Sequence, residues 1–531
     1  MSEKLVEIAE DSARGGFFLF TGNAFQLIIL AMGSIIVARL LGPENYGLLS
    51  LSLVIPLALI GLIDLGVNSA LTRFSAKLRV EGKAQLVADM LKSGFLLKLL
   101  TGIAMSAACF IFSDALATQV LNRPGMGFLL RLASSLILFE AIFTTLNSAF
   151  VGLDRMEGSA LIMNAQSIAK TTLSPLLVVL GFSVVGALTG HIVSYLVASL
   201  AGSLIFYKYY KGLGKSSNTS FLSNIEVMLH YGFPLYLSTL IPIIRGQYQT
   251  IILAFFTSNI EIGNLHIATN LSSVMNVLIL PLAVLFPAFS KVNLDSNELK
   301  KAFELAVKYT ALFIVPATVL VVTLSKDLVY TLYGHTYSSA PAFLSLYILI
   351  FLYAGAGSIV IIYLFSGIGE TGTVFKCNLI NLLVFLPLAP LLTMLYGVPG
   401  SIVALLISGL ISLAYGLFIA AKKIHVKPDF KASSRIYLSS FLSTIPVLAF
   451  LYVSPFNGLP NVLISGSLFL TYLTLTPLMG AITHTDLESL KLILSRIKIV
   501  WPIIRPVLAY EAKLLNLAQS ETKTRTIRFQ S

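Results

Sequence analysis

The stretch that decides the fold is Ala38-Arg39-Leu40-Leu41-Gly42-Pro43-Glu44-Asn45-Tyr46-Gly47. It is a short polar break between two long apolar runs, Gly16–Leu40 and Leu48–Leu71. A helix does not continue through Gly42-Pro43, because Pro43 lacks the N–H and crowds the preceding turn. Glu44, Asn45 and Tyr46 suit a membrane surface. The stretch therefore predicts the tip of a transmembrane helical hairpin.

Composition points the same way. Of 531 residues, 56% are hydrophobic and 11% charged, where soluble globular chains carry about a quarter charged. So few charges cannot cover a water-facing surface, and lipid must be much of the solvent. The two cysteines, Cys109 and Cys377, lie in or beside apolar runs and form no disulfide framework or CxxC motif. Met1–Arg14 is acidic and polar without a cleavage-site pattern, so the first apolar run is expected to stay in the mature protein.

Working outward from the tip, fourteen apolar spans of roughly bilayer length are expected. They cover 16–40, 46–71, 91–113, 126–150, 158–182, 184–210, 228–256, 262–289, 303–324, 341–366, 372–395, 399–421, 435–454 and 458–482. The shortest connections are Gly181-Phe182-Ser183 and Tyr396-Gly397-Val398. With a cytoplasmic N-terminus, the outer segments hold only Arg39, Arg123, Arg131 and Lys326. Lys98, Lys170 and Arg245 fall within spans, and the rest of the 36 Lys and Arg lie in inner segments. Both termini are thus expected in the cytoplasm and the opening tip outside. The net charge of +12 belongs to the cytoplasmic face and its anionic lipids; no basic aromatic domain supports nucleic-acid binding. The outer loops are too short for an enzymatic domain. After the last span, Leu487, Leu490, Leu494 and Ile497 recur at helical spacing with Lys491, Arg496 and Lys498 between them. That pattern predicts an amphipathic helix on the inner leaflet, unless the tail is merely basic and sets topology. Pro502 and Pro506 break it, and Glu521–Ser531 is expected to be unordered.

The chain repeats itself at a near-constant offset. Ala38–Gly47 answers Ala254–Gly263 at 216, Phe150-Val151-Gly152 answers Phe365-Ser366-Gly367 at 215, and Gly186 answers Gly400 at 214. Six spans separate the copies, an even number, so both halves cross the membrane in the same direction. The fold class expected is an all-α polytopic membrane protein of about fourteen helices: two six-helix lobes in parallel pseudo-twofold repeat, plus two C-terminal helices. The segments are a cytoplasmic N-terminus (1–15), an N-lobe (16–215), a C-lobe (216–425), two further spans (426–482) and a cytoplasmic amphipathic, basic tail (483–531).

Ionisable groups at membrane depth mark sites or partners. Arg245, near mid-depth in the seventh span, is the leading candidate. Pro242 and Gly246 are expected to loosen its helix, and Gln249 sits one turn along on the same face. Its forked donors suit a phosphate or carboxylate, or else hold neighbouring helices. Glu140 and Lys170, on consecutive spans, are either functional or a structural ion pair. Asp64 either couples an ion or pairs with a basic residue near the inner surface. Lys98 is read as snorkelling to that surface, and His191 as a packing residue. Asn23 and Gln26, one turn apart in the first span, line a cavity or knit helices. No P-loop, HExxH or GxSxG elbow is present, and no nucleotide-binding domain. The chain is not read as an enzyme, no cofactor or metal is expected, and a membrane glycosyltransferase or polymerase is disfavoured.

The opening stretch, followed by Leu62-Ile63-Asp64-Leu65-Gly66-Val67 and Leu71-Thr72-Arg73-Phe74, resembles the N-terminal signature of polysaccharide-biosynthesis membrane proteins. These are the oligosaccharide flippases of the multidrug/oligosaccharidyl-lipid/polysaccharide (MOP) exporter superfamily. Phe150-Val151-Gly152-Leu153-Asp154-Arg155 resembles the family's turn between the fourth and fifth helices. The resemblance implies a flippase in the cell membrane, moving an isoprenoid phosphate- or pyrophosphate-linked glycan to the outer leaflet by alternating access. It implies that Arg245, and with less support Lys170, meets the anionic head group. The expected partners are the lipid-linked glycan, anionic lipids and glycan-assembly proteins around a monomer. The drug-exporting branch often carries a carboxylate in its first helix. Gly16–Leu40 has none, which weighs against an ion-coupled small-molecule exporter unless Asp64 or Glu140 substitutes.

Overall fold

The computed structural model describes residues 3–213, 219–279, 289, 297–494 and 501–528. Among them the regular secondary structure is all helical. In chain order the principal helices are α1 (Glu3–Ile63), α2 (Val67–Val80), α3 (Ala84–Ile111), α4 (Gly127–Gly152), α5 (Met156–Leu177), α6 (Ser183–Lys211), α7 (Phe221–Phe256) and α8 (Asn259–Ser272). They continue with α9 (Asn297–Tyr333), α10 (Ala340–Tyr347), α11 (Val360–Gly367), α12 (Thr371–Lys423), α13 (Phe430–Leu442), α14 (Thr444–Val453), α15 (Leu459–Phe469), α16 (Thr471–Leu478), α17 (His484–Leu494) and α18 (Trp501–Arg528).

The opening stretch does break α1. Gly42 adopts φ 70°, ψ 172°, a conformation that glycine reaches without the Cβ penalty. Pro43 then starts the second half, where its missing N–H costs nothing. Ser34 Oγ and Tyr46 Oη lie 3.0 Å apart. A straight helix would separate these residues by about 18 Å, so the chain folds back at Gly42. Asn45 Nδ2 donates to Leu41 O (3.3 Å) and satisfies a carbonyl at the break.

The two shortest connections break in the same manner. Gly181 has φ 94° and Ser183 φ 46°, and Ser174 Oγ donates to Ala187 O across that turn at 3.0 Å. Gly397 has φ 63°, ψ −143° inside α12. Nine described helical stretches are long and apolar enough to span a membrane, and the three interrupted at Gly42, Gly181 and Gly397 measure 42, 56 and 53 residues. Each of those three is two crossings, since one needs only about 20 residues. Counted as one span, Ala340–Ala356 with Val360–Gly367, bent by 50°, adds another. That makes thirteen. The remaining expected span, 262–289, begins in α8 and runs into residues outside the described ones, as do Lys215, Lys291, Arg496, Ile497 and Lys498 of the charge and tail patterns. Large apolar side chains face outward, for example Leu204 at 72% and Val453 at 73% exposure, as suits a lipid-facing surface.

The repeat has a structural counterpart. A methyl group added at Gly47 would run into Asn259 O, and one at Gly263 would run into Pro43 O. Pro43/Asn259 and Gly47/Gly263 are both pairs 216 residues apart, so the two hairpin tips meet in a self-complementary contact of the kind a two-fold axis produces. The second tip is a capping box, with Ser258 N donating to Glu261 Oε2 and Glu261 N to Ser258 Oγ, each at 3.3 Å. Arg123 sits over it, giving Nη1 to Ala254 O (2.8 Å), Nη2 to Thr257 O (2.7 Å) and Nε to Asn259 Oδ1 (2.9 Å).

By compactness the chain forms two units. The first comprises Met1–Asn270, Tyr333–Ser339 and Asn378–Ser408. Its core includes Val67, Leu71, Leu91 and Met228 near one end and Phe150, Ile162 and Ala198 between α4, α5 and α6. The second comprises Leu271–Leu332, Ala340–Cys377 and Gly409–Ser531. In it, Phe303, Val307, Val360 and Phe365 form one cluster. The tail packs here too: Leu487 and Leu515 are buried against Ala311, Leu312, Val315 and Ile436. Thr483 and Asp486 form a capping box at the start of α17, and Lys308 Nζ donates to Asp486 Oδ2 at 2.5 Å. The apolar edge expected to face the inner leaflet is thus partly covered by protein. α18 continues as helix through Pro506 to Arg528, so Glu521–Arg528 of the segment expected to be unordered is helical, and residues 529–531 lie outside the described ones.

Candidate substrate site

The face of α7 that carries Arg245 is bound to α12 within the first unit. Arg245 Nη1 donates to Asn381 Oδ1 at 2.9 Å. One turn along, Gln249 Nε2 donates to Ser401 Oγ at 2.9 Å, and between them the Tyr248 hydroxyl donates to Leu386 O at 2.9 Å. Toward the other end, Asn378 Nδ2 reaches Ser238 O at 3.3 Å. Arg245 is half-buried. Pro242 does not loosen the segment: α7 stays helical from Phe221 to Phe256 with Pro234 and Pro242 inside it. The site is therefore a rigid helix face rather than a set of exposed carbonyls. A guanidinium presents five N–H donors in a fixed fork, so one partly exposed beside Asn381 can hold an anionic oxygen group by two parallel bonds.

Lys170 and Glu140 come together on a second surface of the same unit, between α4, α5 and α6. They interact by charge, although no ion pair at or under 4.0 Å joins them. Lys170 Nζ lies 3.5 Å from His191 Nε2. The His191 ring stacks on Tyr195, centroids 5.6 Å apart, and Tyr195 in turn lies near Glu140. Glu140 Oε2 is buried without a hydrogen-bond partner. Gln166 Nε2 donates to Ser194 Oγ at 3.2 Å.

Asp64 pairs with Lys98 at 2.8 Å. The snorkelling assigned to Lys98 is corrected: its side chain is 3% exposed, because it turns inward to the carboxylate at the end of α1. Asn23 and Gln26 are half-buried on the first half of α1, and Asn23 Oδ1 is buried without a partner. That helix lies tight on α5, where a methyl at Gly22 or Gly33 would meet Ala160 or Thr171.

Arg245 with Gln249 was readable from one-turn spacing. Asn381 and Ser401 were not, since they stand 136 and 152 residues away and are common helix residues. Nor was the His191–Tyr195 pair, which one-turn spacing could have flagged beside Lys170.

Residues 12–293, more than half of the chain, match the sequence family described as Polysaccharide biosynthesis protein. The chain belongs to that family. This family member is 23% identical over 444 residues to the lipopolysaccharide biosynthesis protein WzxC of Escherichia coli (strain K12), covering 80% of this chain and 84% of that protein. It is 25% identical over 309 residues to the succinoglycan biosynthesis transport protein ExoT of Rhizobium meliloti (strain 1021), covering 57% and 59% respectively. Among solved structures, the lipid II flippase MurJ in its inward closed conformation matches with a TM-score of 0.69 at 18% identity, over 86% of this chain and 97% of that one. At that identity the likeness establishes the fold: this is a multi-pass membrane protein of the same helical architecture.

Proposed function

We propose that the protein carries a lipid-linked oligosaccharide from the cytoplasmic to the outer leaflet of the cell membrane by alternating access, with both termini in the cytoplasm. Arg245 receives the phosphate or pyrophosphate of the carrier, and Gln249 extends the polar face toward the sugar. The observation that carries this reading is a half-buried guanidinium at membrane depth, held by Asn381 on a helix that does not break. Family membership and the names of the relatives, which concern lipopolysaccharide and succinoglycan, support the glycan.

Two glycine contacts support the mechanism. The tips meet at Gly47 and Gly263 toward the expected outer side. Toward the inner side, Gly66 and Gly232 approach so closely that a methyl on either would strike the other's carbonyl. Opening one contact while keeping the other exposes the first six spans and the next six alternately to the two sides. The test uses protein in vesicles and a fluorescent isoprenoid-pyrophosphate oligosaccharide whose outer-leaflet pool is quenched chemically. Losing a charged hydrogen-bond donor costs about 1.5–3 kcal/mol, so Arg245→Ala should slow translocation on the order of tenfold or more. Unchanged translocation in a folded Arg245→Ala protein would overturn the head-group role.

A further inference from the structure

The motif Leu71-Thr72-Arg73-Phe74 has no part in the head-group site, yet it sets an exposed guanidinium on α2. Arg73 lies about two turns beyond Gly66, about 10 Å along the helix, on the expected cytoplasmic side of the contact between Gly66 and Gly232. Its central carbon is 4.0 Å from the centre of the Tyr231 ring on α7 and 6.0 Å from that of Phe74. The two rings meet edge to face at 5.6 Å and pack on the cluster that holds Val67, Leu71 and Met228. The platform under the guanidinium is therefore fixed by the core beneath it.

A guanidinium over a ring face uses its flat side on the ring and keeps five N–H donors in its plane. Among the described residues those donors find no hydrogen-bond acceptor and no carboxylate within 4.0 Å, and the Tyr231 hydroxyl has no hydrogen-bond partner. Two other arginines on the expected cytoplasmic side are matched. Arg79 gives Nη1 to Leu153 O at 2.7 Å and Nη2 to Asp154 Oδ2 at 2.9 Å. Arg155, over the Tyr209 ring at 4.9 Å, has Glu157 at 3.7 Å. One turn beyond Arg73, Lys77 lies on the same face of α2. Its Nζ is 3.9 Å from Glu81, whose carboxylate is held more closely by Lys83 at 2.7 Å.

We propose that Arg73, Lys77 and Tyr231 form a binding site for the phosphate group of a lipid in the cytoplasmic leaflet. Arg73 takes two phosphate oxygens with its fork, the Tyr231 hydroxyl donates to the same group, and Lys77 adds charge. The ring distinguishes this site from a merely basic surface, because it restrains a long side chain that would otherwise lose its rotamer freedom on binding. Arg73 belongs to α2 and Tyr231 to α7, so the site is complete only while those helices touch, and its occupant favours a closed inner side. That last consequence rests on the transport reading; the site itself does not. A lipid phosphate has two sources here, a bilayer phospholipid and the isoprenoid carrier.

The test separates them by mass. Purified protein in detergent is titrated with an equimolar mixture of phosphatidic acid and isoprenyl pyrophosphate, and the bound lipids are counted by native mass spectrometry. Arg73→Gln should weaken binding of one phosphate lipid on the order of tenfold. Tyr231→Leu should weaken it several-fold although no charge is lost, and Tyr231→Phe, which keeps the ring, should weaken it least. Arg79→Gln, with the same change in net charge as Arg73→Gln, should bind as the parent does. Each variant is compared at the parent's elution volume and melting temperature, and were Arg73→Gln not to fold, Tyr231→Leu decides alone. Equal binding by Arg73→Gln and Arg79→Gln, or parental binding by Tyr231→Leu, would overturn the site. The lipid whose binding falls in Arg73→Gln names the source, phosphatidic acid for the bilayer and isoprenyl pyrophosphate for the carrier. A failed translocation assay with this Arg73-dependent binding intact would count against the transport reading and leave the phosphate site standing.

Discussion

Lys98 carries its charge at 2% exposure with Asp64 as its partner at 2.8 Å, so the pair is best judged by what remains when one member goes. Removing the carboxylate leaves a buried ammonium uncompensated, and that costs on the order of 3 kcal/mol. Asp64→Asn should lower the melting temperature in detergent clearly, and adding Lys98→Met should restore most of it; single and double variants melting alike would show the pair to be idle. Arg245 poses the complementary question of shape rather than charge. Arg245→Lys keeps the positive charge and loses the planar fork. It should retain part of the translocation lost in Arg245→Ala, with weakened apparent affinity, and full activity would mean that charge alone suffices. Both residues stood out in the sequence because an ionisable group inside an apolar run is visible at a glance. Asn381 did not, and Asp64, which did stand out with a basic residue near the inner surface as one expected partner, was not matched to Lys98. Depth counted from the ends of a span placed Lys98 near the surface, and only the turn at Leu65-Gly66, φ 47° and 81°, brings Asp64 back to meet it.

At the level of helices, the sequence was most readable where a backbone must do something only glycine does easily. Gly42, Gly181 and Gly397 all lie at positive φ, and each splits a helix too long for one crossing, so the span count followed from composition and punctuation alone. What those tips do to each other was hidden, because a contact between Gly47 and Gly263 has no signature beyond two small residues. The contact makes a prediction nonetheless. Valine at Gly263 cannot share space with Pro43 O, so Gly263→Val should hold the tips apart. In a background lacking Cys109 and Cys377, a cysteine replacing Tyr337, fully buried beside the tip with its hydroxyl on Ala38 O, should then react with a maleimide several-fold faster. Gly232→Val should act at the other end, speeding reaction of a cysteine at Tyr236, whose hydroxyl now donates to Leu62 O at 3.2 Å. If each valine accelerated both cysteines equally, the substitutions would be loosening the fold rather than opening one end.

Over the whole molecule, the C-terminal segment is where sequence periodicity could not choose. An apolar stripe at helical spacing looks the same whether lipid or protein covers it, and here Leu487 and Leu515 are covered by α9 and α13. That docking buries a carboxylate. Glu511 on α18 is 3% exposed, accepts one hydrogen bond from Thr476 Oγ1 at 3.3 Å, and is pushed up to about 7 by burial, with the Thr476 hydroxyl opposing only in part. The sign follows from linkage. A carboxyl whose docked value lies above its undocked one favours docking while it is protonated, and that contribution is complete below about pH 4.5 and lost as pH rises through 7. The shift corresponds to about 3 kcal/mol between the extremes, enough to loosen a helix pair that is otherwise anchored by Lys308 on Asp486 and by Tyr510 on Thr474. The chain contains a single tryptophan, and it is Trp501, the first residue of α18. Its emission should move to the red between about pH 5 and pH 8 as the helix loosens. Glu511→Gln, which cannot ionise, should hold the acidic spectrum across that range, while Glu488→Gln on α17 should leave the parent's transition in place. A Trp501 transition that persists in Glu511→Gln would assign the pH response to another group and leave the buried carboxylate as a static cost of packing α18 against α16.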